Sequence, residues 1–407
     1  MKKLCFLFAI SIIFGTSSYA VNYTTQTSGN WNAASSWVSN SKPSTWWAAS
    51  DTVFVKHAIT LNQNIGFAGV MIVESSGSLT TSSKNIQLNN GAYIYSSGRI
   101  KVKKFTLNST SEAALHDVLE VADDLQVNSN SVFNISDSLI VDDDLNINSG
   151  ATFNVKSGFP TIVNGDIEVN SGATTVFSGL VETDNLTING GNVTFNGNVD
   201  VSNDVEFNNN NTVNINANFE VGDDFTANGG TTNISSSSAV DVNDDFTQNG
   251  ATINNDGALD VGNDFTVNGG VFTNGLGSSL DVNDDLTVNG SGSVVNNGTV
   301  DVTDELILNS AFTNNSRLNT NGDVTINGGG SLDGAGGLVR TNAGSNFTNW
   351  GSVGGSLDFC NTNGTNTVIS GNGSVSGSTT FCQLTAPLPV ELLDFTVAKG
   401  NREIEIH

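Results

Sequence analysis

The segment LDVGNDFTVNGG begins at Leu259, and near copies begin at Val240 (VDVNDDFTQNGA) and Leu280 (LDVNDDLTVNGS). Aligned on the motif acid–apolar–x–apolar–Asn, the chain places its Asn at Asn128, Asn148, Asn170, Asn189, Asn208, Asn228, Asn249, Asn268, Asn289, Asn309 and Asn327, spaced 18 to 22 residues apart. IQLNNG, with Asn89, and FTLNST, with Asn108, keep the same step. The residue three before each Asn is apolar in all eleven copies, from Leu125 through Phe225, Phe246 and Phe265 to Val324. Three before the acid stands Val121, Val141, Val163, Val201, Val221, Val242, Val261, Val282 or Val302. These apolar positions alternate with polar ones, which is the period of a strand.

A unit of about 20 residues with two or three short strands cannot bury an apolar side alone, but stacked neighbours can. The pattern therefore predicts an all-β fold, a right-handed parallel β-helix (β-solenoid) with one repeat per coil. Thirteen aligned coils about 4.8 Å apart would make a monomeric rod of roughly 60 Å. The Asn column is expected to be structural. Asn tolerates left-handed backbone, bonds nearby main chain, and can bond its copies above and below.

Domain limits follow from where the repeat starts and stops. Residues 1–20 read as a secretory signal peptide: a basic MKK, a short apolar run, and TSSYA ending in a small-x-small pattern. No later stretch approaches a transmembrane helix, so no membrane insertion is expected. Residues 21–80 hold Trp31, Trp37, Trp46 and Trp47 and read as Trp-rich capping coils, since an open solenoid end exposes core and strand edges. The rival reading of these tryptophans is an aromatic platform for carbohydrate. Residues 81–386 are the solenoid repeats, degenerate after Asn327. Cys360 in LDFCN and Cys382 in TTFCQ stand one coil apart at positions read as inward, and a disulfide between them would staple the terminal coils. Residues 387–407 read as a linker or the start of a further C-terminal domain, because the alternation reaches His407 in mid-strand.

Two resemblances add to this. GNWNAASSW, Pro43, DTVFV and ITL resemble the opening of secreted bacterial β-solenoids of the G8-like kind, over about 35 residues. LPVELLDF resembles the segment that precedes the sorting domain in substrates of the type IX secretion system. The second resemblance implies export across the outer membrane, with the chain then released or held at the cell surface.

The chemistry lies in the acids. The chain has 40 Asp plus Glu against 14 Lys plus Arg, a formal charge of −26, which argues against nucleic acid and anionic membrane surfaces as partners. One acid column runs Asp124, Asp144, Asp166, Asp204, Asp224, Asp245, Asp264, Asp285 and Asp323, with Asn185 and Glu305 as substitutes. A second, four residues earlier, runs Asp200, Glu220, Asp241, Asp260, Asp281 and Asp301. Turn chemistry and loose counterions account for both columns. The alternative is calcium, the one cofactor considered, bridging coils through Asp241, Asp244, Asp245, Asp260, Asp264, Asp281, Asp284 and Asp285, although the repeat is not the glycine-rich calcium nonapeptide. Thr226, Thr247, Thr266 and Thr287 form a shorter row that resembles an ice-binding face, interrupted at Glu206 and Ile307. Lys101, Lys103 and Lys104 cluster on one early coil, where solvated faces and edge protection explain them, and His116 reads as a turn residue with no visible partner. No catalytic residues are assigned. The composite expectation is a non-enzymatic, exported structural or adhesive solenoid whose partners are surface glycans or other cell-surface proteins. A carbohydrate-active β-helix is the alternative and ice binding the lesser one.

Overall fold

The computed structural model describes residues 20–382 and the backbone of two short antiparallel strands, Ala398–Lys399 and Ile404–Glu405. The signal-peptide segment and LPVELLDF lie outside the described residues. Contacts divide the chain into two compact units, Met1–Leu180 and Val181–His407. The sequence pattern marks no boundary there, because the repeat runs across it.

Each unit is a parallel β-solenoid. Every full coil carries three short strands, one on each of three faces, and each strand pairs in parallel with its copy one coil on. In the first unit, face 1 runs from Asn22–Thr24 to Thr174–Phe177, face 2 from Gly29–Asn30 to Thr161–Val163, and face 3 from Trp46–Trp47 to Ile167–Val169. The second unit has three faces of its own, numbered alike, from Gly191–Phe195 to Ser374–Val375, from Val181–Thr183 to Thr380–Phe381, and from Leu186–Ile188 to Ile369–Ser370. The only helical turns among the described residues are the 3-10 segments Ala34–Ser36 and Val38–Asn40. Among the described residues no helix is long and apolar enough to cross a membrane.

Register keeps like on like. Val221, Val242, Val261, Val282 and Val302 are successive partners on face 2, and Phe225, Phe246, Phe265 and Leu286 on face 3. All are buried. Ring centroids along Phe225, Phe246 and Phe265 are 4.5 and 4.8 Å apart, and Phe133 stacks on Phe153 at 5.0 Å in the first unit. A one-residue slip in any strand would turn these side chains outward, so the apolar alternation itself fixes the register. Corners take residues that can leave the strand conformation. Gly230, two after Asn228, has φ +77°, which glycine adopts without Cβ strain.

The Trp-rich segment already belongs to the coils. Trp47 lies flat on Phe67 at 4.5 Å, Trp31 on Trp47 at 5.7 Å, and Trp37 meets Trp31 edge-on at 5.0 Å. The Trp37 indole N–H donates to the Trp31 carbonyl at 2.8 Å. These three fill the interior of the first coil of their unit; Trp46 points outward and is 60% exposed. At the other extreme, coils persist in register beyond Asn327 to Phe381 although the motif fades. Cys360 and Cys382 form a disulfide. Their position corrects the sequence reading: Phe359 and Phe381 are the paired inward residues, and Cys360 continues the outward row Asp301–Asn319–Arg340. The staple therefore runs along the outside of face 2.

Candidate functional site

The Asn column stands directly after face 3. In the first unit the Nδ2 groups of Asn108, Asn128, Asn148 and Asn170 each donate to Oδ1 of the preceding Asn, at 3.1, 2.9, 2.7 and 3.0 Å. In the second, Asn208, Asn228, Asn249, Asn268, Asn289, Asn309 and Asn327 do the same, beginning from Asn189. An amide carries both a donor and an acceptor, so one residue type can bond the coil before and the coil after.

The first acid column occupies the turn between faces 2 and 3, where it caps the backbone of the next coil. The N–H of Asp166 donates to Asp144 Oδ1 at 3.0 Å. In the second unit the N–H groups of Asp204, Asp224, Asp245, Asp264, Asp285 and Glu305 donate to the side-chain oxygen of the preceding column member, at 2.7 to 3.3 Å. A charged acceptor makes the stronger kind of hydrogen bond, which offsets part of the repulsion between neighbouring acids.

The expected calcium ligands separate into two groups. Carboxylate oxygens come within 4.8 Å of one another in Asp224–Asp244–Asp245 and Asp264–Asp284–Asp285, and also in Asp204–Asp223–Asp224 and Asp123–Asp124–Asp143. Asp241, Asp260 and Asp281 belong to none of these clusters. They stand in the outward row of face 2, Asp200–Glu220–Asp241–Asp260–Asp281–Asp301 in direct register. The three carboxylates of VDVNDD therefore do not converge, because alternation turns Asp241 onto the sheet face and the next two acids round the corner. Asp245, Asp264 and Asp285 also already accept a backbone N–H. Two millimolar-range titrations check their preference: calcium and magnesium are expected to raise the thermal midpoint equally, as screening counterions do. A rise specific to calcium would make the clusters binding sites.

Folding moves several of these carboxyls. Burial first, then the charges of Asp301 and Asp260, raises Asp281 above 3.8. Burial and neighbouring aspartates likewise raise Asp223, Asp224, Asp284 and Glu305. A raised carboxyl is one the fold prefers protonated, so its charge weakens the fold above the raised value and ceases to do so as pH falls toward the ordinary carboxylate range. In the first unit burial works to raise Glu120, but hydrogen bonds from Lys101 and Arg99 outweigh it and hold the group low. That contribution is present above the ordinary value and is lost as pH falls through the lowered one. The midpoint of the second unit is expected to climb as pH falls from 7 toward the ordinary carboxylate range, measured by circular dichroism. A flat profile at low salt would mean the columns are neutralised by bound cations.

The lysine cluster binds the next coil. Arg99 and Lys101 pair with Glu120, Lys103 with Asp123 at 3.3 Å, and Lys104 with Asp124 at 2.6 Å. His116 has a neighbour the sequence did not reveal, the Tyr95 ring at 5.1 Å. Thr226, Thr247, Thr266 and Thr287 are register partners on the outside of face 3. A shallow concavity of about 300 Å³ in the second unit is lined by Asn218, Ser236, Ser237, Ser238, Asp256 and Gly277 among others.

One ladder escaped the sequence reading. Asn255, Asn274, Asn296 and Asn314 point inward from face 1 and are 0% exposed. Asn255, Asn274 and Asn296 each donate from Nδ2 to Oδ1 of the following Asn, at 2.9, 3.0 and 2.8 Å. The same Nδ2 groups reach the carbonyls of Ser279, Thr299 and Arg317. The signal was present in TINN, VFTN, SVVN and AFTN, where a polar residue recurs at inward parity. No family model, curated protein or solved structure matches the chain.

Proposed function

We propose that the chain is an exported structural or adhesive module that acts through its repeated outer surface and carries out no catalysis. The observation behind this reading is the register. In the second unit the outward side chains form continuous rows of Asp, Asn and Thr, and the coils there are held by side-chain ladders that leave the surface regular. A polysaccharide-cleaving site needs acids beside groups that stabilise developing charge. The residues named around the concavity bring one carboxylate and no cationic side chain. Cell fractionation with an adhesion assay tests the reading: the protein is expected outside the cell, and its deletion to lower attachment severalfold. A cytoplasmic protein, or one that creates new reducing ends in a polysaccharide, would sink it.

Ice binding has one observation in its favour, the four aligned threonines. It would require thermal hysteresis that disappears on Thr247→Lys.

A further inference from the structure

Face 1 of the first unit breaks the rule that outward positions are polar. Its strands Thr52–Val55, Val70–Val73 and Tyr93–Ser96 read TVFV, VMIV and YIYS, apolar at both parities. The inward set, Val53, Val55, Met71, Val73 and Ile94, is fully buried. Register places the outward set in two rows, Phe54–Ile72–Tyr95–Ala114 and Val70–Tyr93. Strands apolar on both sides are the mark of a sheet covered on both sides, yet these outward side chains are only half-buried. In later coils the same rows carry Asn134, Thr152, Asn154 and Thr174, with Val132 and Val176 standing singly. Register gathers these outward side chains into one contiguous apolar patch.

We propose that this strip binds an uncharged polysaccharide, with sugar rings stacked on Phe54, Tyr93 and Tyr95. The inference rests on the adhesive reading and names its site. Size argues for a narrow ligand: four coils at about 4.8 Å and two outward positions per strand make a strip on the order of 150 Å². A stable protein partner covers about 800 Å² per side, so a second copy of the chain is far too large an occupant for so small an anchor. A peptide adding as a strand has no purchase, because the backbone groups of these strands are already paired with the coils on either side. Charge argues for a neutral ligand. Residues 21–111 hold Lys42, Lys56, Lys84, Arg99, Lys101, Lys103 and Lys104 against Asp51 and Glu74, within a chain of −26. The cations at 99–104 pair with Glu120, Asp123 and Asp124, Lys56 pairs with Glu74 at 2.9 Å, and with Glu112 and Asp117 counted the segment 21–124 carries seven basic and seven acidic side chains.

The rim supplies polar partners. Ser97 Oγ lies 3.2 Å from the Tyr95 hydroxyl, and His116 and Glu112 border the strip. Burial first, then Glu112 and Tyr95, raises the Tyr93 hydroxyl above 10.0, so it remains a donor. A sugar ring has the matching division, with a C–H face for the aromatic rings and hydroxyls at its edge.

The test is co-sedimentation of the full chain with insoluble cellulose, chitin and curdlan, beside heparin beads as an anionic comparator, with sedimentation velocity for self-association. Retention on at least one neutral polysaccharide is expected, unchanged in about 0.5 M salt. Tyr93→Thr with Tyr95→Thr is expected to lower retention at least tenfold, and Phe54→Thr to lower it independently. Later coils carry small polar residues in these rows, Thr152 and Thr174 in one and Asn134 and Asn154 in the other, and an unchanged thermal midpoint confirms folding. Equal retention by the variants overturns this site while leaving glycan adhesion standing. The proposal also falls if no neutral polysaccharide retains the chain, if only heparin does, or if the double variant abolishes self-association and nothing else.

Discussion

Asn274→Asp is expected to destabilise the second unit by about 3–5 kcal/mol at neutral pH. The substitution keeps shape and volume almost unchanged, so the effect isolates the hydrogen bonds and the charge. Asn274 is 0% exposed and its Nδ2 donates to Asn296 Oδ1 at 3.0 Å and to the Thr299 carbonyl at 2.8 Å. A carboxylate there would face two oxygens with nothing to donate, in a place water does not reach. Its Oδ1 would still accept from Asn255 and from the Ser278 hydroxyl, so the damage is confined to one side of the ladder. Protonation restores a donor, so part of the loss should return as pH falls below about 5, since burial raises the new carboxyl. Urea unfolding at pH 7 and pH 4.5 measures both effects. Asn268→Asp in the corner ladder is the control. Asn268 is exposed, and its loss should cost about 1 kcal/mol. Equal effects at the two sites would mean the inner ladder is not buried as described.

Phe246→Ala carries the second large expectation, about 3–5 kcal/mol. The ring is 1% exposed and lies between Phe225 at 4.5 Å and Phe265 at 4.8 Å. A solenoid coil touches chiefly its two neighbours, so the cavity cannot be closed by a rearrangement elsewhere. Hydrogen exchange should therefore quicken in residues 225–227 and 265–267 and stay slow in the Phe133–Phe153 region of the first unit. Thr247→Ala, one residue away on the outside of the same strand, should stay within about 0.5 kcal/mol. Uniform acceleration through both units would contradict nearest-neighbour packing.

The solenoid was legible because its signal is redundant. The Val, Phe and Asn columns repeat coil after coil, and apolar alternation leaves only one register that buries them. The Asn ladder was legible for the same reason, since its chemistry is local to one corner. The acid columns were legible as columns but not as geometry. Alternation alone cannot say that Asp241 faces along the sheet while Asp244 and Asp245 turn the corner, nor that the corner carboxylates cap the next coil. The cysteines were placed one residue out of phase because the motif fades after Asn327, and phase in a strand is a matter of one residue.

What the sequence by itself determined is the period, the strand faces and the stacking of like on like, because a short amphipathic coil has no other way to bury its apolar side. Only the tertiary structure decided which polar residues lie inside and which apolar ones lie outside. Asn274 and Tyr95 both contradict the local pattern. Whether such a residue is a buried rung or an exposed ring depends on which neighbours the coils before and after bring beside it.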